Sequence, residues 1–466
     1  MKRRGRKFRI FWTKGTAAVY LPGRRVAPGC VFVGVFAACS SPVPSSPPPS
    51  TAAACSTVTG IAPEEHGDTI MANQTWGSGP HLVTFDVSVR AGATLTIAPC
   101  AVVRMRSNTG LDVREGGTLV AEGTMMQPIR FEPEAAGTTW RPIEVTGQAR
   151  LAHVTITGGG DVGIDPTSAA LWLRAGGAVE SAQPVVRAVH VTIIGAAKFG
   201  VRLEGRATFT DDSEELTVMG SGQFPVLSSP GGIGSLPSGR YTGNAHDEVL
   251  VPGGDIQWDT TLRDRGVPYH VGQPGSENAS LRVSGKAVPL LTIDPGVILR
   301  FEPHAGMEIE HLSGAGPASG ALRVMGTAAL KVLFTSAAEK PAAGDWVGIS
   351  FGKTPDPRNS IDHATIEYAG ASASAQNHSC ANPAAPQDET NVDRAAVLIF
   401  GQPAAPFITN STIAHSAADG IQRGWFGAAV DFLPSNAFDD IAWCYQSFPR
   451  PEMVDCPVEV PCLRGH

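Results

Sequence analysis

Three histidines of this chain share one local context: His153, His190 and His363 each begin a His-x-Thr-Ile run. Imidazoles stacked on successive turns of a repeating fold could bind a metal or act as a general base. A fourth stretch, Asn410-Ser-Thr-Ile413, puts an amide at the same place, and an amide is no general base and a poor ligand for the metals that imidazole holds. The four residues therefore read as a polar ladder at a corner of the chain, where His or Asn satisfies backbone groups. No metal ligand is assigned.

Carboxylates offer a second chemistry. Asp211-Asp212 with Glu214-Glu215, and Asp431 with Asp439-Asp440, are the densest groups. Glycoside hydrolysis needs two carboxyls about 5–10 Å apart across a cleft, and nothing in the sequence sets these two groups face to face. They read as solvated loop acids. Trp425, Phe426, Phe432, Phe438, Trp443 and Tyr445 gather toward the C-terminus. They could stack on sugar rings, but a solenoid also needs its last open rung covered, and a cap is the reading preferred here. Gly158-Gly-Gly160 and Gly231-Gly232 lack the strand–loop–helix context of a phosphate loop and read as turns. No His-Glu-x-x-His pair or EF-hand loop occurs. No catalytic residue is assigned.

The elements that would position such groups come from an internal repeat. Leu95-Thr-Ile-Ala-Pro-Cys-Ala-Val-Val-Arg-Met105 matches Leu291-Thr-Ile-Asp-Pro-Gly-Val-Ile-Leu-Arg-Phe301. Leu119–Thr124 matches Leu322–Thr327, Trp140–Val145 matches Trp346–Phe351, and His153–Ile156 matches His363–Ile366. Within both stretches apolar residues alternate with polar ones, the period of a half-buried strand. Leu95/Ile97, Val103/Met105, Leu111/Val113 and Ile129/Phe131 should point inward, with Thr96, Arg104, Asp112 and Arg130 outward. Leu299/Phe301, Met307/Ile309 and Val332/Phe334 repeat the pattern. Leu95, Leu119 and Ile143 lie 24 residues apart, room for three short strands with corners and for no helix. Such a coil buries its apolar face only by stacking on its neighbours. A β-sandwich would instead call for hairpin turns of the Asn-Gly or Asp-Gly kind, which are scarce.

This order of motifs resembles the right-handed parallel β-helix repeats of bacterial surface proteins, similar in fold to the pectin-lyase-like superfamily. The resemblance covers about Asp68–Gly424. It implies an all-β solenoid built from two tandem copies of a multi-coil repeat. It implies little about activity, because that fold hosts lyases, hydrolases, adhesins and proteins of unknown role. The ordered signatures of polygalacturonase-like enzymes are missing; His66-Gly67 occurs, but out of order and ahead of the repeats.

The N-terminus carries an address. Nine Lys and Arg residues without an acid precede the apolar run Val31–Ala38, which ends at Cys39. The run is too short to span a bilayer and suits a signal segment. Phe36-Ala-Ala-Cys39 resembles a bacterial lipobox, implying acylation at Cys39, and Ser40–Ser50 is a Pro/Ser-rich tether. The expected organisation is a signal peptide over 1–38, a tether over 39–57, β-helix over 58–242 and 243–430, and a Cys-rich cap over 431–466. Without the leader, Lys plus Arg falls from 36 to 27 against 43 Asp plus Glu, moving the net charge from −7 to −16. So acidic a body repels nucleic acid, and polyanionic glycans unless calcium intervenes. Cys55, Cys100, Cys380, Cys444, Cys456 and Cys462 remain, an even set suited to disulfides in an oxidising compartment. The last three should staple the cap.

Together these features predict a non-enzymatic, lipid-anchored protein of the outer membrane or cell surface, with an adhesive, binding or structural role. The alternative is a polysaccharide lyase, glycoside hydrolase or glycan-binding protein. The expected partners are the membrane, through the N-terminal lipid, and a glycan or envelope proteins. No cofactor is expected, calcium being the one candidate.

Overall fold

The computed structural model describes residues 54–55, 60–161, 163, 165–175, 183–273, 279–310, 319–373, 378–387 and 393–464. The signal segment, Cys39 and nearly all of the tether lie outside the described residues. Among the described residues the regular structure is nearly all strand, with two three-residue 3-10 turns and no α-helix. No helix there is long and apolar enough to cross a membrane.

Every strand pairing within the sheets is parallel, and each strand pairs with one that follows or precedes it by about a coil. The result is a β-helix-like solenoid. Among the described residues one sheet has fourteen strands, running from Thr69–Ile70 to Ala437–Ile441. We call it the long wall. A twelve-stranded sheet accompanies its first part, and sheets of six and five strands accompany the second. The handover falls where Val249–Val251, Gly254–Ile256 and Thr260–Leu262 follow one another with only short linkers, the last two opening the new sheets.

Alternation decides which residues enter the core. Every inward residue expected from the period of two, from Leu95 and Ile97 to Val332 and Phe334, is buried in one apolar cluster that extends from Ile70 to Phe432. Trp76, Trp140 and Trp346 are its largest members. The 24-residue spacing is less faithful. Leu95 does pair with Leu119, but Leu119 pairs next with Ala149, whereas Ile143 lies on the long wall between Leu111 and Leu171. Coils differ in length because the corners absorb insertions, so equal sequence spacing is not equal position. The matched stretches also take different walls. Ala101–Met105 belongs to the twelve-stranded sheet, whereas Ile298–Phe301 belongs to the long wall. Between them, the stretch 205–243 continues the stacking, with Leu216–Met219 and Val226–Ser228 both paired as rungs.

The corners explain the histidines. His153, His190, His363 and Asn410 all have left-handed backbone, with φ of 47–51°. His153 lies opposite His190 within the paired strands Gln148–Thr157 and Val185–Ile194, and their rings stack at 4.6 Å. A left-handed residue costs about 1–2 kcal/mol unless it is Gly, with Asn and Asp tolerated best. A second such ladder, Tyr368, His415 and Asp440, has φ of 62°, 50° and 48°. There the Tyr368 and His415 rings stack at 4.8 Å, and His415 bonds Asp440 at 2.8 Å.

Three disulfides close the ends: Cys55–Cys100 near the first rungs, and Cys380–Cys456 with Cys444–Cys462 at the last. The C-terminal aromatics mostly pack there. Trp425, Phe432 and Trp443 are buried, Phe438 packs partly buried on the core, and Phe426 is exposed. Among the described residues beyond Arg450 there is no strand; the two disulfides and a bond from the Tyr445 N–H to the Leu463 carbonyl hold them. Replacing Cys444 and Cys462 by Ser opens an 18-residue loop and should cost about 3 kcal/mol. Glutamyl endopeptidase should then cleave at Glu452 and Glu459 faster than in the parent, with the fragments read by mass.

Candidate functional site

The outward side chains of the long wall form one column, because each strand places its middle residue opposite the next one's. Ser88, Asp112 and Glu144 come first, then Trp172 and Arg202. Leu227 and Leu250 follow, and then His270, Arg300 and Thr335. At roughly 4.8 Å per rung this column extends over about 43 Å.

Its first part is a charged pair of rungs. Asp112 and Glu144 face each other across adjacent strands. Burial raises both carboxyls above their ordinary range, and for Glu144 the neighbouring Asp112 charge adds to it. Arg114 answers Asp112 at 2.6 Å and Arg174 reaches Glu144 at 3.6 Å. Each acid therefore has its own cation, as in a structural charge ladder.

The middle part is aromatic and then apolar. The guanidinium of Arg202 lies 4.1 Å over the Trp172 ring, a cation–π contact. The Trp172 indole N–H donates to Glu204 at 3.0 Å. Arg202 is held from its other side by Thr167 at 2.8 Å and Asp165 at 3.4 Å. Beside them Phe199, Phe224, Leu227 and Leu250 form an apolar cluster separate from the main core. Against this cluster opens a groove of about 330 Å³ whose polar lining includes Arg202, Glu204, Gln223 and Gln273. Apolar floor and convergent polar groups are the composition of a ligand site.

The last part is a network. His270 bonds Glu248 at 2.6 Å through Nδ1 and Glu302 at 2.7 Å through Nε2, and Arg300 also pairs with Glu248. Burial pulls the imidazole down, but the two carboxylates outweigh it and hold His270 above its ordinary value. For Glu248 burial is likewise overcome, by His270 and Arg300, and its carboxyl is depressed.

The residues singled out from the sequence lie elsewhere. Asp212 pairs with Arg187 at 2.6 Å on the exposed surface, and Asp431 accepts from Leu433 N–H and the Gln446 amide. The two acidic groups lie on separate turns and share no contact. Asp112 was legible as an outward residue, but its neighbours in the column were not. Outside the long wall, Glu64, His66 and His81 come together at the first rungs, and no spacing in the sequence marks them as a set. Compared with protein-family models, with curated proteins and with solved structures, the chain matches none.

Proposed function

We propose that this chain is an exported, lipid-anchored protein of the outer membrane or cell surface that binds a neutral glycan along its long wall, without cleaving it. In this proposal its body is a right-handed parallel β-helix of two tandem repeat copies, tethered through Cys39 and the Pro/Ser-rich segment after it. The observation that carries the binding role is the groove floored by Phe199, Phe224, Leu227 and Leu250 and edged by Arg202, Glu204, Gln223 and Gln273. An apolar floor with fixed donors and acceptors at its edge suits a sugar ring, which has an apolar face and a hydroxyl rim. The net negative charge of the body disfavours polyanions and so favours neutral chains.

Two variants test the two halves of this proposal. Cys39→Ala should move the protein from the membrane fraction to the soluble one; unchanged fractionation would remove the anchor. Gln223→Ala should weaken retention on neutral polysaccharide by about 1 kcal/mol, roughly fivefold in Kd, with the thermal transition of the body preserved. Equal retention by the variant would place glycan binding elsewhere.

A second reading is polysaccharide cleavage, favoured by one feature. Asp112 and Glu144 sit side by side on adjacent rungs with raised carboxyls, and glycosidases use a pair of carboxyl groups. Their arginine partners, and their position away from the groove lining, argue for the ladder instead.

A further inference from the structure

The first two rungs hold a group that glycan binding does not use. The strand Glu64–His66 pairs with Gly79–Val83, putting Glu64 opposite His81. Its other edge has no partner strand among the described residues. Along these strands Glu64, His66 and His81 share one face, that of the buried Val83 and Val103. At an open end of the core, polar residues thus stand where the next rungs place valine. His66 is 8% exposed and His81 3%.

Their ligand atoms converge. His66 Nε2 is 3.0 Å from His81 Nδ1, and Glu64 Oε2 is 3.7 Å from that same nitrogen. All three residues have a ligand atom within 4.8 Å of both others. The second nitrogen of His81, Nε2, lies 2.7 Å from the Gly77 carbonyl oxygen. A carbonyl accepts only, so Nε2 carries the hydrogen and Nδ1 presents its lone pair toward His66 and Glu64. A ligating histidine is oriented by such an outer partner. The His66 ring is held from its face by Trp76, stacked at 3.9 Å and 15°. The buried Trp76 indole N–H has no hydrogen-bond partner among the described residues, so the group also contains an unspent donor.

We propose that Glu64, His66 Nε2 and His81 Nδ1 form a zinc site that clamps the first rung of the solenoid to the second. Two imidazoles and a carboxylate are a ligand set that zinc accepts, with a water completing four-coordination. Bonds of 2.0–2.1 Å in a tetrahedron put ligand atoms roughly 3.3 Å apart. The two imidazole nitrogens are already near that distance, and Glu64, whose side chain is 62% exposed, has room to swing in. The clamp acts where it is needed, since a terminal rung has a neighbour on one side only.

The test uses the full folded protein, stripped with a chelator and titrated with ZnCl2 against a chromophoric competitor. One zinc per chain should bind, and hydrogen exchange over 64–70 should slow when it does. Cobalt in place of zinc should give visible absorption bands of low coordination number. Glu64→Gln, on the exposed side, should weaken binding by at least the roughly 10–100-fold that loss of an outer partner costs. His66→Gln and His81→Asn should abolish it, and the His153→Asn/His190→Asn pair should leave it intact. Absence of stoichiometric uptake by the parent would overturn the proposal. So would uptake unchanged in Glu64→Gln, which settles the matter even where a histidine variant fails to fold.

Discussion

Replacing Trp346 with alanine should cost about 3–5 kcal/mol, the range for a large aromatic removed from a packed core. Trp346 is fully buried, and its ring lies parallel to that of Phe301 at 4.3 Å. Its indole N–H donates to the Glu367 carbonyl at 2.8 Å, so the variant leaves both a cavity and an unanswered carbonyl. Because each rung touches only its neighbours, the loss should be concentrated around the strands from Ile298–Phe301 to Ala364–Glu367. Urea unfolding followed by circular dichroism, with hydrogen exchange to locate the weakened rungs, measures both. Trp258 is the control. It is 37% exposed and packs on Arg206, so Trp258→Ala should cost less than about 1 kcal/mol. Equal losses for the two variants would mean that the core is not stacked in this way.

The second large effect is on pH dependence. Asp419 is 1% exposed, and burial pushes its carboxyl up to about 7. Its Oδ1 accepts from Asn382 at 2.5 Å and from the Cys444 N–H at 3.0 Å, while Oδ2 has no hydrogen-bond partner among the described residues. The folded protein thus keeps a proton that the unfolded chain gives up near pH 4. Between about pH 4 and pH 7 the unfolded state binds fewer protons, so stability falls as pH rises through this window and levels off above it. A carboxyl moved from 3.8 to about 7 corresponds to about 4 kcal/mol at most. His270 adds a change of the same sign. Its folded pKa is raised, so its contribution is complete below about 6.5 and fades as pH climbs through the raised value. Asp419→Asn removes only the first component. Its urea midpoint should exceed that of the parent at pH 8 and approach it at pH 4, with unchanged slope. Parallel curves for the two proteins would show that Asp419 titrates normally in the fold.

What could be learned from the sequence follows the range of the interactions. Inward residues such as Val103, Met105 and Phe131 were legible because alternation is a property of one strand and its local backbone. The shared context of His153 and His190 was visible in the sequence, whereas their left-handed backbone and stacked rings were not. Tyr368 and His415 form a similar ladder five residues after His363 and Asn410, a spacing that shows only once the rungs are stacked. The column on the long wall escaped notice because its members recur at irregular intervals. Asp112, Glu144, Trp172 and Arg202 are separated by 32, 28 and 30 residues, so no fixed period shows them as neighbours. The same irregularity put Ile143 on a different wall from Leu119. The pairing of Cys380 with Cys456 depends on which coils meet at the end of the stack. His66 and His81 become partners only because two rungs stack.

Incubating the folded body with neutral and acidic polysaccharides, with and without calcium, and reading both retention and product masses tests the binding wall most directly. The account predicts retention on a neutral polysaccharide, weakened in Gln223→Ala, with no new oligosaccharides. New oligosaccharides that disappear in Glu144→Gln would contradict it and make Asp112 and Glu144 an acid–base pair.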